Sequence, residues 1–253
     1  LAPGTRVYIT ALPSVPLEAS IDAAIGLRRA GLEPVPHVGA RYIAGRGALD
    51  AFLGRLANDA GVTQALLIGG DVARPAGPFA SSLDLLRTGA LRKAGIRRLG
   101  LAAYPEAHPR IARDALEAAL AAKIARARDD DISVYAVTQF CFAPEPIRGW
   151  LQRFAARHGD VPVHVGLPGP ATVATLVRYG VACGIGASLG ALRRSTGLGR
   201  LLAEADPDAT IAALTCDAQA AACIAQLHFF TFGGVRRTTE WLRAFTSEAA
   251  AAH

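Results

Sequence analysis

RRLGLAAYPEAHPRIARDALEAALAAKIARARDDDISVYAVTQF, Arg97 to Phe140, is the stretch whose reading decides the fold. It opens on a short apolar run, Leu99 to Ala103, and breaks at Tyr104-Pro105. A long helical pattern follows from Arg110 to Ala127, and the stretch closes on a β-branched and aromatic run, Val134 to Phe140. A strand, a helical crossover and a second strand make one βαβ unit, whose two strands lie parallel because the helix returns the chain to the same edge.

The same alternation runs outward from this unit in both directions. Further strands are expected at Arg6 to Thr10, Glu33 to Val38, Ala65 to Ile68, Val161 to Gly166 and His228 to Thr231. The other helices are expected at Leu17 to Arg29, Ala48 to Asn58, Ser81 to Lys93, Pro146 to His158, Ala171 to Tyr179 and Thr238 to Phe245. Ser81 and Ser82 ahead of Leu83, and Pro170 ahead of Ala171, are start signals. The rhythm fails between Ala182 and Gln226, where helical patterns at Ala187 to Arg194, Leu198 to Ala205 and Asp208 to Gln226 follow with no clear strand. Repeated βα units give an α/β fold, read here as a single (β/α)8 barrel over residues 1–253 with extra helices before its last strand. Seven strands are visible, so the eighth is expected ahead of Leu1. A flat doubly wound sheet is the alternative.

The chain has 253 residues, 51% of them hydrophobic and 19% charged, enough to bury a full core. No apolar run is long enough for a membrane span. Cys141, Cys183, Cys216 and Cys223 are scattered without a C-x-x-C pair, so neither a disulfide framework nor a zinc site is indicated, and a cytoplasmic location fits. The net charge of +6 comes from arginine pairs near helix ends, such as Arg28-Arg29 and Arg193-Arg194, and not from a basic stripe with interleaved aromatics. Nucleic acid is therefore not the expected partner, although the field would attract a small polyanion. Homo-oligomerisation is left open.

In a barrel the reacting groups sit at the carboxyl ends of the strands. Polar residues there are Thr10, His37, Gly69-Gly70-Asp71, Tyr104-Pro105-Glu106 with His108, Thr138-Gln139 and Thr231. Asp71 follows two glycines that let backbone approach a ligand, and reads either as a carboxylate beside a bound ring or as a turn residue. His37 reads as a ligand contact or as a satisfied strand-end histidine. Gln139 is an amide at the end of an apolar strand, costly to bury without partners and able to pair with a lactam edge. Lys123 is either a ligand contact or a solvated lysine. A dinucleotide G-x-G-x-x-G after a strand, a phosphate loop and a G-x-S-x-G elbow are all missing; Gly184-x-Gly186 falls in the helical excursion.

VPH at Val35 to His37, IGGD at Ile68 to Asp71, AAYPEAHP at Ala102 to Pro109, AVTQFCF at Ala136 to Phe142 and LHFFTF at Leu227 to Phe232 together resemble the methylenetetrahydrofolate reductases. The resemblance implies an enzyme holding FAD that passes hydride from NAD(P)H to 5,10-methylenetetrahydrofolate, or runs the reverse oxidation. It places Thr10, His37, Gly70, Asp71, Tyr104, His108, Glu117 and Lys123 against the flavin. Asp71 is also catalytic and substrate-binding in this reading, and Gln139 binds the pterin with support from Thr138. The sequence departs from the family at Gly69, where an arginine is expected, and at Gly233-Gly234, where Asn-Arg is expected. It also lacks the aromatic expected after Pro168-Gly169. The family's catalytic glutamate belongs to the strand expected before Leu1; Glu18 is misplaced for it. Flavin-independent hydride transfer and a folate-binding barrel without catalysis are the alternatives.

Overall fold

The protein was analysed as a computed structural model that describes residues 1–106, 108–185, 190 and 203–251. Its main strands are β1 (Arg6–Ile9), β2 (Glu33–Gly39), β3 (Gln64–Ile68), β4 (Arg98–Ala103), β5 (Ser133–Thr138) and β6 (Val163–Pro168). Helices α1 (Leu17–Arg29), α2 (Arg46–Ala60), α3 (Ser82–Arg87), α4 (Ala90–Lys93), α5 (Arg113–Asp129) and α6 (Pro144–His158) alternate with them. Then come β7 (Ala171–Thr172), α7 (Val173–Ala182), β8 (Glu204–Ala205), α8 (Asp208–Thr215), α9 (Ala218–Cys223), β9 (Ile224–Phe230) and α10 (Val235–Ala251).

The strands form one seven-stranded sheet in the order β1-β2-β3-β4-β5-β6-β9, with β1 and β9 standing at its two ends. This corrects the expected closed (β/α)8 barrel: the sheet is open. Closure needs the two end strands to pair, and here they do not. The strand order also lacks the reversal of a doubly wound sheet. The chain divides into two compact units, residues 1–102 with 117–136, and residues 103–116 with 137–253.

Within the first unit the sheet is strongly curled. The hydroxyls of Tyr8 on β1 and Tyr135 on β5 lie 3.1 Å apart. In a flat sheet four strand spacings would hold these positions roughly 19 Å apart. Both tyrosines therefore reach across a concave face, where burial raises each phenol's pKa. The Arg98 guanidinium stacks 4.7 Å over the Tyr135 ring. At the rim, Arg28 at the end of α1 forks onto Glu33 at the start of β2 and donates to Ala60 O and Gly61 O, tying two helix ends to one strand.

The expected helix from Ser81 to Lys93 is two short helices. Gly89 takes φ +68°, and the Thr88 hydroxyl accepts from Ala90 N–H in place of the helical ladder. The break is a local hydrogen bond outcompeting the helix.

In the second unit β6 and β9 pair in parallel from Val163–Ile224 to Pro168–Phe230. The expected helix from Asp208 to Gln226 is instead α8, α9 and the first residues of β9; the Asp217 side chain caps α9 by accepting from Ala220 N–H. A two-residue pairing, Ala171–Ala205 and Thr172–Glu204, supplies a strand contact in the stretch where none was read. Most of the helical pattern at Ala187 to Arg194 and most of that at Leu198 to Ala205 lie outside the described residues. Phe140, Phe142, Phe230 and Phe232 pack ring on ring in the core, and Tyr179 stacks on Phe232 at 4.2 Å. No helix among the described residues is long and apolar enough to cross a membrane.

Candidate functional site

The sequence-predicted residues fall into two groups, one in each unit. In the first unit, Thr10 lies exposed just past β1 and His37 lies within β2, its ring edge-on to Tyr8. Gly70 and Asp71 follow β3. Gly70 has φ +94°, a conformation that L side chains rarely adopt, and a Cβ there would press on the Tyr42 ring at 3.1 Å and on Arg41. The glycine makes room for Tyr42. The Tyr42 hydroxyl donates to the Asp71 carboxylate. Burial, and then this hydrogen bond, push the Tyr42 phenol up from its usual range.

Arg41 and Tyr42 had no signal beyond standing at the carboxyl end of β2. Arg41 organises the loop that follows Asp71. Its backbone N–H donates to Gly69 O at 2.9 Å, and its guanidinium donates to Val72 O at 2.9 Å and Ala80 O at 3.0 Å. Beside Arg41 opens a cavity of about 450 Å³ whose wall includes Tyr42 and Arg74.

Lys123 sits half-buried on α5, and Glu117 stands one and a half turns before it. Burial lowers the Lys123 ammonium to a pKa of about 8. An unfolded lysine titrates near roughly 10.4, so below about pH 8 both states are protonated and the buried charge weakens the fold in full. Between about pH 8 and 10.4 the folded chain sheds its proton first, and stability rises with pH across that window. Replacing Lys123 with Met should therefore add about 2 kcal/mol at pH 7, and the gain should vanish towards pH 10.5. Urea unfolding of both proteins at the two pH values measures this. An equal gain at both would mean that the charge is not the cause.

In the second unit the structure brings Tyr104, His108 and Gln139 around one recess. Glu106, named with them at the strand end, stands on the same wall, and Phe140, Cys141, Cys183 and Ile185 are added to it. Tyr104 and His108 meet edge to face with centroids 5.2 Å apart. Burial raises the Tyr104 phenol, and burial followed by the nearby Arg110 charge lowers the His108 imidazole below its usual range. Cys141 is buried beside the Glu106 carboxylate. Burial first and Glu106 second push its thiol up, so it is no thiolate nucleophile. The Gln139 side-chain oxygen accepts from Phe140 N–H at 3.1 Å, which leaves the amide NH₂ to donate. Thr138 is fully buried and its hydroxyl oxygen accepts from Gly166 N–H at 2.7 Å, so it joins two strands.

The recess has about 10 Å³ of room, enough for roughly one water. Its cover is the turn Cys183–Ile185: a Cβ at Gly184 would strike Pro109, so this turn packs directly on the AAYPEAHP loop. Gly233 is explained in the same way, since a Cβ there would run into Pro170 O. The Asn-Arg pair expected at 233 and 234 has no space at its first position. Cys183 and Ile185 carried no sequence signal, because only the fold brings the end of α7 over the ends of β4 and β5.

The donor set does not fit FAD as the resemblance distributes it. The open face over Gly70 is filled by Tyr42, and the Asp71 carboxylate already holds a hydroxyl. Among the described residues no group of three or more His, Cys, Asp and Glu side chains is placed to hold a metal ion.

No family model matches the chain. Among solved structures, 3-dehydroquinate dehydratase from Geobacillus kaustophilus HTA426 is similar over 91% of this chain and 83% of that one, at 14% identity and a TM-score of 0.48. The Bordetella bronchiseptica enzyme WbmH in complex with NAD+ is similar over 90% of this chain and 85% of that one, at 11% identity and a TM-score of 0.30. Both of those proteins are enzymes, and at TM-scores below 0.5 neither likeness fixes the fold or the chemistry of this chain.

Proposed function

We propose that the protein is an oxidoreductase of folate one-carbon units, interconverting 5,10-methylenetetrahydrofolate and 5-methyltetrahydrofolate with NAD(P)H as the direct hydride partner. The observation that carries this reading is the meeting of Tyr104, Glu106, His108 and Gln139 around one recess. These residues come from the two sequence blocks on which the resemblance is most specific, and they are far apart in the chain. The alternative without flavin is preferred because Tyr42 stands where the flavin was expected.

In the reductive direction one hydride from the dihydronicotinamide adds to the methylene carbon, its bond to N10 opens, and N10 gains one proton. Gln139 supplies the amide that pairs with the lactam edge of the pterin. Glu106, on the same wall, is the residue assigned to carry the proton. Folate entry requires the Cys183–Ile185 turn to swing off the recess, since the space beneath it holds no ring.

The test is anaerobic incubation with 5-methyltetrahydrofolate and NAD+ or NADP+, reading reduced nicotinamide, beside a visible spectrum of the purified protein. Turnover by a colourless protein is expected. Absence of turnover with either nucleotide would sink the reading, and a bound flavin would restore the alternative set aside. In parallel, Gln139→Leu should weaken folate binding by about 1–3 kcal/mol, because it leaves a polar edge unpaired. Unchanged affinity in a fluorescence titration removes Gln139 from the site.

A further inference from the structure

The cavity beside Arg41 in the first unit has features that the folate reading does not use. It holds about 450 Å³, within the usual range of roughly 300–1,000 Å³ for small-molecule sites. Leu12, Val15 and Pro16 form one wall, and Ser20, Arg41 and Arg74 face it from elsewhere, with no carboxylate in the lining. Leu12 and Val15 are 51% and 41% exposed, an apolar surface open to a ligand.

Three observations give the cavity its sign. The first is the Arg41 guanidinium, held by the carbonyls of Val72 and Ala80 and, among the described residues, neutralised by no acid. Arg74 makes no hydrogen bond or ion pair among the described residues, so a second guanidinium is available. The second is the start of α1, a helix of 13 residues whose N-cap is Pro16 and whose first N–H groups have no capping side chain. Such an end carries partial positive charge and directs its N–H groups outward. Glu18 on that first turn is exposed and outside the lining, and Asp71 is occupied by the Tyr42 hydroxyl.

The third is Ser20, which is only 7% exposed yet lines the cavity, and its hydroxyl has no hydrogen-bond partner among the described residues. The Oγ is not sealed from the cavity, so the hydroxyl opens onto it and can donate to a ligand there.

We infer that this cavity binds a small organic phosphate, with the phosphate between the α1 N-terminus, Ser20 and the two arginines and a flat apolar body against Leu12, Val15 and Pro16. Guanidinium groups match phosphate in a fork geometry, and a helix N-terminus adds backbone donors to a dianion. This inference does not rest on the folate reading, and either can fail alone.

Isothermal titration of the full chain with adenosine monophosphate, adenosine, inorganic phosphate and citrate tests it. Adenosine monophosphate should bind more tightly than adenosine or inorganic phosphate. Arg74→Ala should weaken it at least about tenfold and Ser20→Ala about threefold, as expected for charged and neutral hydrogen bonds. Raising the salt should weaken it further. The Ser20→Ala variant removes one atom from the cavity wall and should keep the fold, which circular dichroism checks. No binding at millimolar adenosine monophosphate, affinity unchanged in both variants, inorganic phosphate binding as tightly as the nucleotide, or citrate binding more tightly than either phosphate would each overturn the inference.

Discussion

Replacing Gly166 with alanine should lower the midpoint of thermal unfolding by about 5–15 °C, a larger effect than any surface change in this chain. Gly166 lies in the middle of β6, in register with His228 of β9. Its N–H donates to the Thr138 hydroxyl at 2.7 Å. A Cβ there would fall inside contact distance of Thr138 O, 2.9 Å from the Phe230 ring and 3.1 Å from the Gln139 carbonyl carbon. Two of these three neighbours are backbone atoms fixed in the sheet, so the added methyl cannot be absorbed by a rotamer change. Overpacking of this kind costs about 1–3 kcal/mol, and loss of the Thr138 hydrogen bond adds about 1 kcal/mol. Because the backbone atom that must shift, Thr138 O, belongs to the peptide that leads into Gln139, folate affinity should fall with stability. Gly149→Ala serves as the control: its Cβ meets only the flexible end of Arg153 at 3.5 Å within α6, and the change should stabilise by about 0.5–1 kcal/mol. An unfolding midpoint for Gly166→Ala equal to that of the parent would show that β5 and β6 are not pressed together as described.

Glu106→Gln should reduce methyltetrahydrofolate oxidation about 100-fold or more while folate binding stays within about twofold. The substitution keeps the shape and one acceptor oxygen but cannot carry a proton at neutral pH. A positioned general acid or base contributes roughly 10²- to 10⁴-fold, so its loss appears in kcat and not in KM. Glu106 lies on the wall that also holds Gln139. His108→Asn provides the comparison. Removal of its imidazole should cost less than that of Glu106, the assigned proton carrier. Full activity in Glu106→Gln would end its assignment as proton carrier. A loss confined to KM would make it a binding residue.

The sequence by itself determined the elements and the end of the sheet at which polar residues gather. Short β-branched runs and longer amphipathic patterns are local, and β1 to β6 and their helices stand within a few residues of where periodicity put them. Strand ends are local as well, so Tyr104, His108 and Gln139 were legible as candidates before any contact was known. Only the tertiary structure decided whether the sheet closes, because closure depends on pairing between the first and last strands, a relation that no local pattern encodes. It also decided what Gly70 is for. The glycine predicts close approach of something, but that this is the Tyr42 ring follows from the packing of the β2 and β3 loops. The boundary between α9 and β9 was misread because Asp208 to Gln226 is rich in alanine, which favours helix locally, while pairing of Ile224 to Phe230 with β6 prevails. Cys183, Ile185, Arg41 and Ser20 belong to their sites only through contacts between distant segments, and for that physical reason no reading of the chain alone could have selected them.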